Sequence, residues 1–248
     1  MGIDKPSAPV DMNNHNSPVL SEFVQQHLAS EQRSQGDAKD ARTYPPVDNA
    51  AATTIQNTAS VDGQILALVK AGKPIPQSLM DSAIALHTAS TADAQRDRSG
   101  DNDALKSDAA GVKAEQAVID ADNALIKSGK IDPALMKALK ADVANKQQLA
   151  ANDQRDYANE ASYIRHDIAD IATNDRVIKA LKGNQADLIP ALEASIASKA
   201  NTRHDRLEDA ALEPKYAADD DKDAHMNRML LNAVQNPGVW AHLYHPNS

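Results

Sequence analysis

The sequence predicts an all-α protein, on three observations. β-Branched runs are scarce and no five residues alternate apolar with polar, so the signals for strands and hairpins are missing. Aromatic residues are 3% of the chain, and alanine supplies much of the 42% counted as hydrophobic. A chain with so little aromatic area cannot build a thick core, whereas alanine favours helices and lets them approach closely. Finally, ALVKAGKPIPQSLMD from Ala67 and ALIKSGKIDPALMK from Ala124 spell the same helix stop, turn and helix start.

Taken in order, residues 1–58 are expected to form an extended, disordered arm, with prolines at 6, 9, 18, 45 and 46 amid Asn, Ser, Asp and Gln. One short amphipathic helix is predicted within it, from Ser17 or Ser21 to about Gln32, with Leu20, Phe23, Val24, His27 and Leu28 on one face. It reads equally as a frayed segment or as a docking helix for a partner.

Residues 59–212 are predicted to form a bundle of elongated antiparallel helical hairpins. Lys70 and Lys127 suit the negative end of a helix dipole, and Gly72 and Gly129 can take the left-handed conformation that closes a helix. Proline then opens the next helix, preceded by Asp132 as a cap in the second copy. Leu68 and Leu125 lie 57 apart, and a fainter third copy, ALKGNQADLIPALEASI, places Leu181 another 56 on. The unit reads as an αα-hairpin repeated every ~55 residues. A loop is expected at 97–103, DRSGDND. No glycine or proline occurs from 134 to 182, so one long helix is compatible there, with 150–156 the place for any break. Its second half carries a heptad seam of Tyr157, Ala161, Ile164, Ile168, Ile171, Asp175 and Ile178.

Residues 213–248 are expected to form a C-terminal helix and aromatic tail. Pro214 should stop the preceding helix, ADDDKDA reads as a charged connector, and a short amphipathic helix at 224–234 leads into VWAHLYHPNS.

Several function classes are disfavoured. A net charge of −9 with no basic cluster argues against a nucleic-acid partner. The absence of cysteine excludes disulfides, thiolate catalysis and cysteine-ligated zinc. Apolar runs at 65–69 and 229–231 are too short for a membrane span. The N-terminal stretch has no apolar signal-peptide region, and Pro6 stands where myristoylation wants Ser or Thr. The closest glycines, Gly63 and Gly72, are too far apart for a phosphate-cradling loop.

Asp219, Asp220, Asp221 and Asp223 lack the ligand spacing of a calcium loop and read as a solvated linker. His242 and His245 have no third ligand, and His166 with Asp170 reads as a surface pair. No catalytic residue, metal, cofactor or small-molecule ligand is therefore expected.

The function expected is that of a non-enzymatic structural or assembly protein in a multi-copy complex, a virion or appendage component of a phage or bacterium. Its partners would be proteins, including copies of itself. Candidate interface residues are Phe23, Val24, Leu28, Ile164, Ile168, Ile171, Trp240, Leu243 and Tyr244. One alternative is a secreted effector or translocator of a type III-like secretion system, on the Ser/Asn/Pro-rich leader. An enzyme is the other, and needs a deep pocket lined by ionisable groups. Both leading readings favour a virion or extracellular location over the cytoplasm.

Overall fold

The alanine-rich segments between the turns form long α-helices in the computed structural model, which describes residues 17–128, 131–183 and 185–236. In chain order these are α1 (Pro18–Ala41), α2 (Pro45–Lys70), α3 (Gln77–Lys127), α4 (Pro133–Lys182) and α5 (Leu188–Gln235), with a 3₁₀ turn at Gln185–Asp187 before α5. The helices pack against one another, and the described residues contain no strand.

The stop of α2 and the start of α4 are built as the sequence predicts, whereas Pro76 lies one residue before α3 and Gly129 lies outside the described residues. Gly72 has φ +66°, in the left-handed region, and lets Lys73 N–H donate to Leu68 O (2.9 Å) while Gly72 N–H donates to Val69 O (3.0 Å). Asp132 Oδ1 caps α4 by accepting from Ala134 N–H (2.7 Å) and Leu135 N–H (3.4 Å), with Pro133 as the first helical residue. Leu125 and Leu135, on either side of this turn, meet in one apolar cluster.

Four expectations are corrected. The segment predicted as an extended arm is helical from Pro18 on, through α1 and into α2. Its polar composition misleads because α1 buries polar groups: His27, Ser30 and Ser34 all lie in the interior. The expected loop at 97–103 is continuous α3: Asp97 pairs with Arg206 and Asp101 is buried beside it, so tertiary packing overrides the weak local helix propensity. Pro214 lies inside α5 rather than ending it; the ring removes one backbone donor, and packing on both sides, at Arg206 and Ala217, carries the helix through. The aspartates read as a charged connector therefore sit on a helix, with Asp223 fully buried. The repeat of ~55 residues holds only in part: α3, α4 and α5 are 51, 50 and 48 residues long, and α3 and α4 are each shared by two successive hairpins.

Contacts divide the chain into two units. Unit 1 comprises 1–40, 108–155 and 216–248; unit 2 comprises 41–107 and 156–215. Helices α3, α4 and α5 each contribute to both, whereas α1 belongs to unit 1 up to residue 40 and α2 to unit 2.

Unit 1 has an apolar cluster of Leu20, Phe23, Leu125, Leu135, Leu139, Leu230, Ala233 and Val234. Unit 2 has one of Ile65, Ala83, Val177, Ala180, Leu181, Leu188, Ala191 and Leu192. Seven of the eight residues in each correspond by position. Phe23 matches Ala83, and Leu125 matches Ile65, at a separation of 60. Leu135/Leu188, Leu139/Leu192, Leu230/Val177, Ala233/Ala180 and Val234/Leu181 match at a separation of 53. Each unit thus builds the same core from different parts of the chain.

Candidate functional site

Next to its apolar cluster, each unit buries a network of charged and polar side chains. In unit 1, His27 projects from α1 and stacks on Phe23, with ring centroids 4.1 Å apart. Its Nδ1 lies 2.7 Å from Asn227 Oδ1 of α5. Asn227 Nδ2 donates to Asp223 Oδ2 (2.8 Å) and Ser30 Oγ (3.2 Å), so its Oδ1 is the acceptor and His27 Nδ1 carries the proton. His27 Nε2 then faces Asp122 Oδ1 of α3 at 2.9 Å. Lys146 of α4, fully buried, donates to Asp223 Oδ2 and Ser30 Oγ, both at 2.5 Å, and lies 3.3 Å from Glu115 Oε2. Arg33 pairs with Glu115 and donates to Gly111 O (3.1 Å).

Unit 2 repeats the network. His87 Nδ1 lies 2.8 Å from Asn174 Oδ1, and Nε2 lies 2.8 Å from Asp62 Oδ1. Lys199 donates to Asp170 Oδ2 and Ser90 Oγ, both at 2.6 Å, and to Asn174 Oδ1 at 2.8 Å. The correspondence again runs at 60 for His27/His87, Ser30/Ser90 and Asp122/Asp62, and at 53 for Lys146/Lys199, Asp223/Asp170 and Asn227/Asn174. Not every member recurs: Glu115 falls at Ile55 and Arg33 at Asp93. Asp142 of unit 1 is matched by Ser195 of unit 2, whose Oγ donates to Asp62 Oδ2 at 2.7 Å.

That exchange changes the electrostatics. Asp142 is fully buried, and neither of its oxygens accepts from an N–H or hydroxyl donor; the group facing it is the Asp122 carboxyl. Burial pushes Asp142 up to about 8, with Lys146 opposing and Asp122 reinforcing. Burial likewise raises Asp122 to about 7, against the hydrogen bond from Asp142 and the charge of Lys146. His27 is lowered, chiefly by burial. The imidazole nitrogen and one oxygen from each of the two carboxylates all lie within 4.8 Å of one another.

Unit 2 carries a second acidic group in Asp97, Asp101 and Asp167, whose oxygens also lie within 4.8 Å of one another. Arg206 already serves this group, pairing with Asp97 and, at 3.2 Å, with Asp48.

The predicted interface residues divide. Phe23 is wholly buried in the unit 1 core, and the half-buried Val24 packs against the same cluster. Leu28 of unit 1 is 43% exposed. Ile168 of unit 2 is 49% exposed, and Ile164 and Ile171 beside it are half-buried. The seam predicted as a helix–helix core is thus a flank, because α4 turns Asp167, Asp170, Asn174 and Val177 inward. Trp240, Leu243 and Tyr244, with His242 and His245, lie outside the described residues. His166 pairs with Asp205 Oδ2 at 2.7 Å rather than with Asp170, which serves Lys199.

None of the buried network was singled out from the sequence as functional, yet it left a trace. HLAS at 27–30 recurs as HTAS at 87–90, and DIATN at 170–174 recurs as DAHMN at 223–227. No protein-family model, curated protein or solved structure matches the chain.

Proposed function

We propose that this chain is a non-enzymatic structural or assembly protein that works in many copies through its helix surfaces. The observation that carries the reading is a row of large apolar side chains that α4 leaves outside its buried face. That inward face already mixes apolar residues (Leu135, Leu139, Val177) with the polar Asp142, Lys146, Asp167, Asp170 and Asn174. Tyr157 and Ile168, eleven positions apart and therefore nearly aligned on one helix face, are 47% and 49% exposed. Ile164 and Ile171 extend that row. Large apolar side chains set outward at helical spacing are what a partner helix covers, with Tyr a frequent anchor at interfaces.

Elongated antiparallel hairpins assembling side by side, as in a virion or an appendage, fit such a surface. The partner is then a second copy of the chain, with the aromatic residues Trp240 and Tyr244 as further anchors.

Light scattering across a concentration series tests this. The wild type should exceed its monomer mass of 26.5 kDa as concentration rises. Tyr157→Ser/Ile168→Glu should reduce or abolish the association with the helical content unchanged. A wild type that stays monomeric at the highest concentration, whether or not residues 237–248 are present, refutes the proposal. Deletions at the other end should stop before Pro18, because α1 supplies part of the unit 1 core.

A further inference from the structure

Four acids of unit 1, Glu115, Asp122, Asp142 and Asp223, are fully buried around one buried lysine, Lys146, and the part-exposed Arg33. Fully ionised, the group carries two negative charges more than positive. Burying unpaired charge is costly, so the interior must acquire either protons or a cation. The corresponding group in unit 2 has only two acids, Asp62 and Asp170, against Lys199, an excess of one. Both oxygens of Asp62 there have a partner: Oδ1 lies 2.8 Å from His87 Nε2, and Oδ2 accepts from Ser195 Oγ at 2.7 Å. In unit 1, by contrast, Asp122 Oδ2 and both oxygens of Asp142 have no N–H or hydroxyl donor.

The imidazole is set up in the same way. Asn227 Oδ1 fixes the Nδ1 proton of His27 and leaves the Nε2 lone pair directed at the two carboxylates. That is the arrangement by which a hydrogen-bonded outer partner orients a ligating histidine. The 2.9 Å between Nε2 and Asp122 Oδ1 is somewhat shorter than the tetrahedral edge of ~3.3–3.6 Å set by metal–ligand bonds of roughly 2.0–2.2 Å, so a few tenths of an ångström of side-chain movement would seat a four-coordinate ion.

We propose that His27 Nε2 and the carboxylates of Asp122 and Asp142 bind one divalent transition-metal ion such as Zn²⁺ in unit 1, and that unit 2, with Ser195 in place of the third ligand, binds none. One imidazole and two carboxylates favour Zn²⁺ over Mg²⁺, for which imidazole is a poor ligand. The ion neutralises the excess charge and ties α1, α3 and α4 together at one point. This departs from the sequence reading, which expects no metal.

The two units make the test internal. Full-length protein is stripped with chelator, dialysed against micromolar Zn²⁺, and its bound metal counted by elemental analysis; Mg²⁺ replaces Zn²⁺ in a parallel arm. Wild type should hold one equivalent of Zn²⁺ and melt at a higher temperature with it. Asp142→Ser, which gives unit 1 the unit 2 arrangement, should hold none. Ser195→Asp should hold two. Asn227→Ala should retain the site with roughly 10–100-fold weaker affinity, because the ring loses its orienting acceptor. Asp101→Asn, in the other acidic group, should leave the count at one.

A wild type without a bound equivalent overturns the proposal, as does Asp142→Ser loading as fully as wild type, or Mg²⁺ loading as well as Zn²⁺. If Asp142→Ser does not fold by circular dichroism, Ser195→Asp decides: two equivalents support the site, and one or none refutes it.

Discussion

Replacing Lys199 by methionine removes one charge from the middle of the unit 2 network while keeping much of the side-chain volume. Lys199 is 1% exposed and makes three short polar contacts, to Asp170 Oδ2, Ser90 Oγ and Asn174 Oδ1. Methionine leaves Asp170 buried without its counter-charge, with only Ser90 Oγ (3.1 Å) and Asn174 Nδ2 (3.3 Å) to donate to it. Breaking a buried pair from one side costs ~3–5 kcal/mol, most of it the stranded charge rather than the lost attraction. At ~2–4 °C per kcal/mol for a chain of this size, the melting temperature should fall by roughly 6–20 °C.

The double variant Lys199→Met/Asp170→Asn separates the causes. Asparagine keeps an acceptor oxygen for Ser90 and Asn174 and carries no charge, so most of the loss should return. Urea denaturation of the wild type, both singles and the double gives the coupling energy directly. A single variant costing under ~1 kcal/mol, or a double as unstable as the sum of the singles, refutes the claim that uncompensated burial controls this network.

Three further outcomes follow from particular contacts. Burial, reinforced by neighbouring carboxylates, raises Asp101 to about 7 and Asp167 to about 8 from an ordinary 3.8, so the folded state retains protons that the unfolded chain has already released. Their stabilising contribution is full below pH ~4 and is lost as pH rises through 7 to 8. The urea midpoint should therefore be lower at pH 8 than at pH 6, by on the order of 2–3 kcal/mol in stability, and Asp167→Asn should flatten that slope; an unchanged slope is the contrary result. The lowered His27 acts in the opposite sense: its contribution grows as pH rises toward 6.5 and is full above it.

A Cβ at Gly36, Gly63 or Gly100 meets nothing within 4 Å, so alanine there should stabilise its helix by ~0.5–1 kcal/mol in thermal melts. At Gly111 the same Cβ collides with the Asp153 carboxylate, and that gain should be absent or reversed. Phe23→Ala, which empties a fully buried site beside His27, should cost ~3–5 kcal/mol by urea denaturation.

The parts of the fold legible in the sequence are those fixed by local chemistry. Gly72 past the end of α2, Asp132 before α4 and the lysines in the last helical turns each act within a few residues, so their roles could be read directly. The register of the repeat was harder to read. Aligning the turns pairs Leu68 with Leu125, whereas the cores pair Ile65 with Leu125, because α2 continues about one helical turn further past that point before its stop.

The buried networks were not legible because the usual inference was inverted. His27, Asp122 and Lys199 are polar residues in polar surroundings along the chain, and the default assigns such residues to solvent. Their partners lie far off in sequence, with His27 and Asn227 200 positions apart, so no local spacing marks them. The Ile164–Ile168–Ile171 row misled for the complementary reason: regular apolar spacing identifies a helix face but does not say that the face is inward.

The interruption at 42–44 between α1 and α2 bears on kinetics. Every other helix that supplies unit 1 continues into unit 2, so releasing it would mean breaking backbone hydrogen bonds along an unbroken helix. α1 can lift away by rotating about three non-helical residues, carrying His27 and Ser30 with it and opening Asp122 and Asp142 to solvent. The amides of residues 18–41 should accordingly exchange with deuterated solvent faster than those of 108–127, at a rate set by that single detachment. Exchange of an ion or a proton at the buried carboxylates would then keep pace with the same opening.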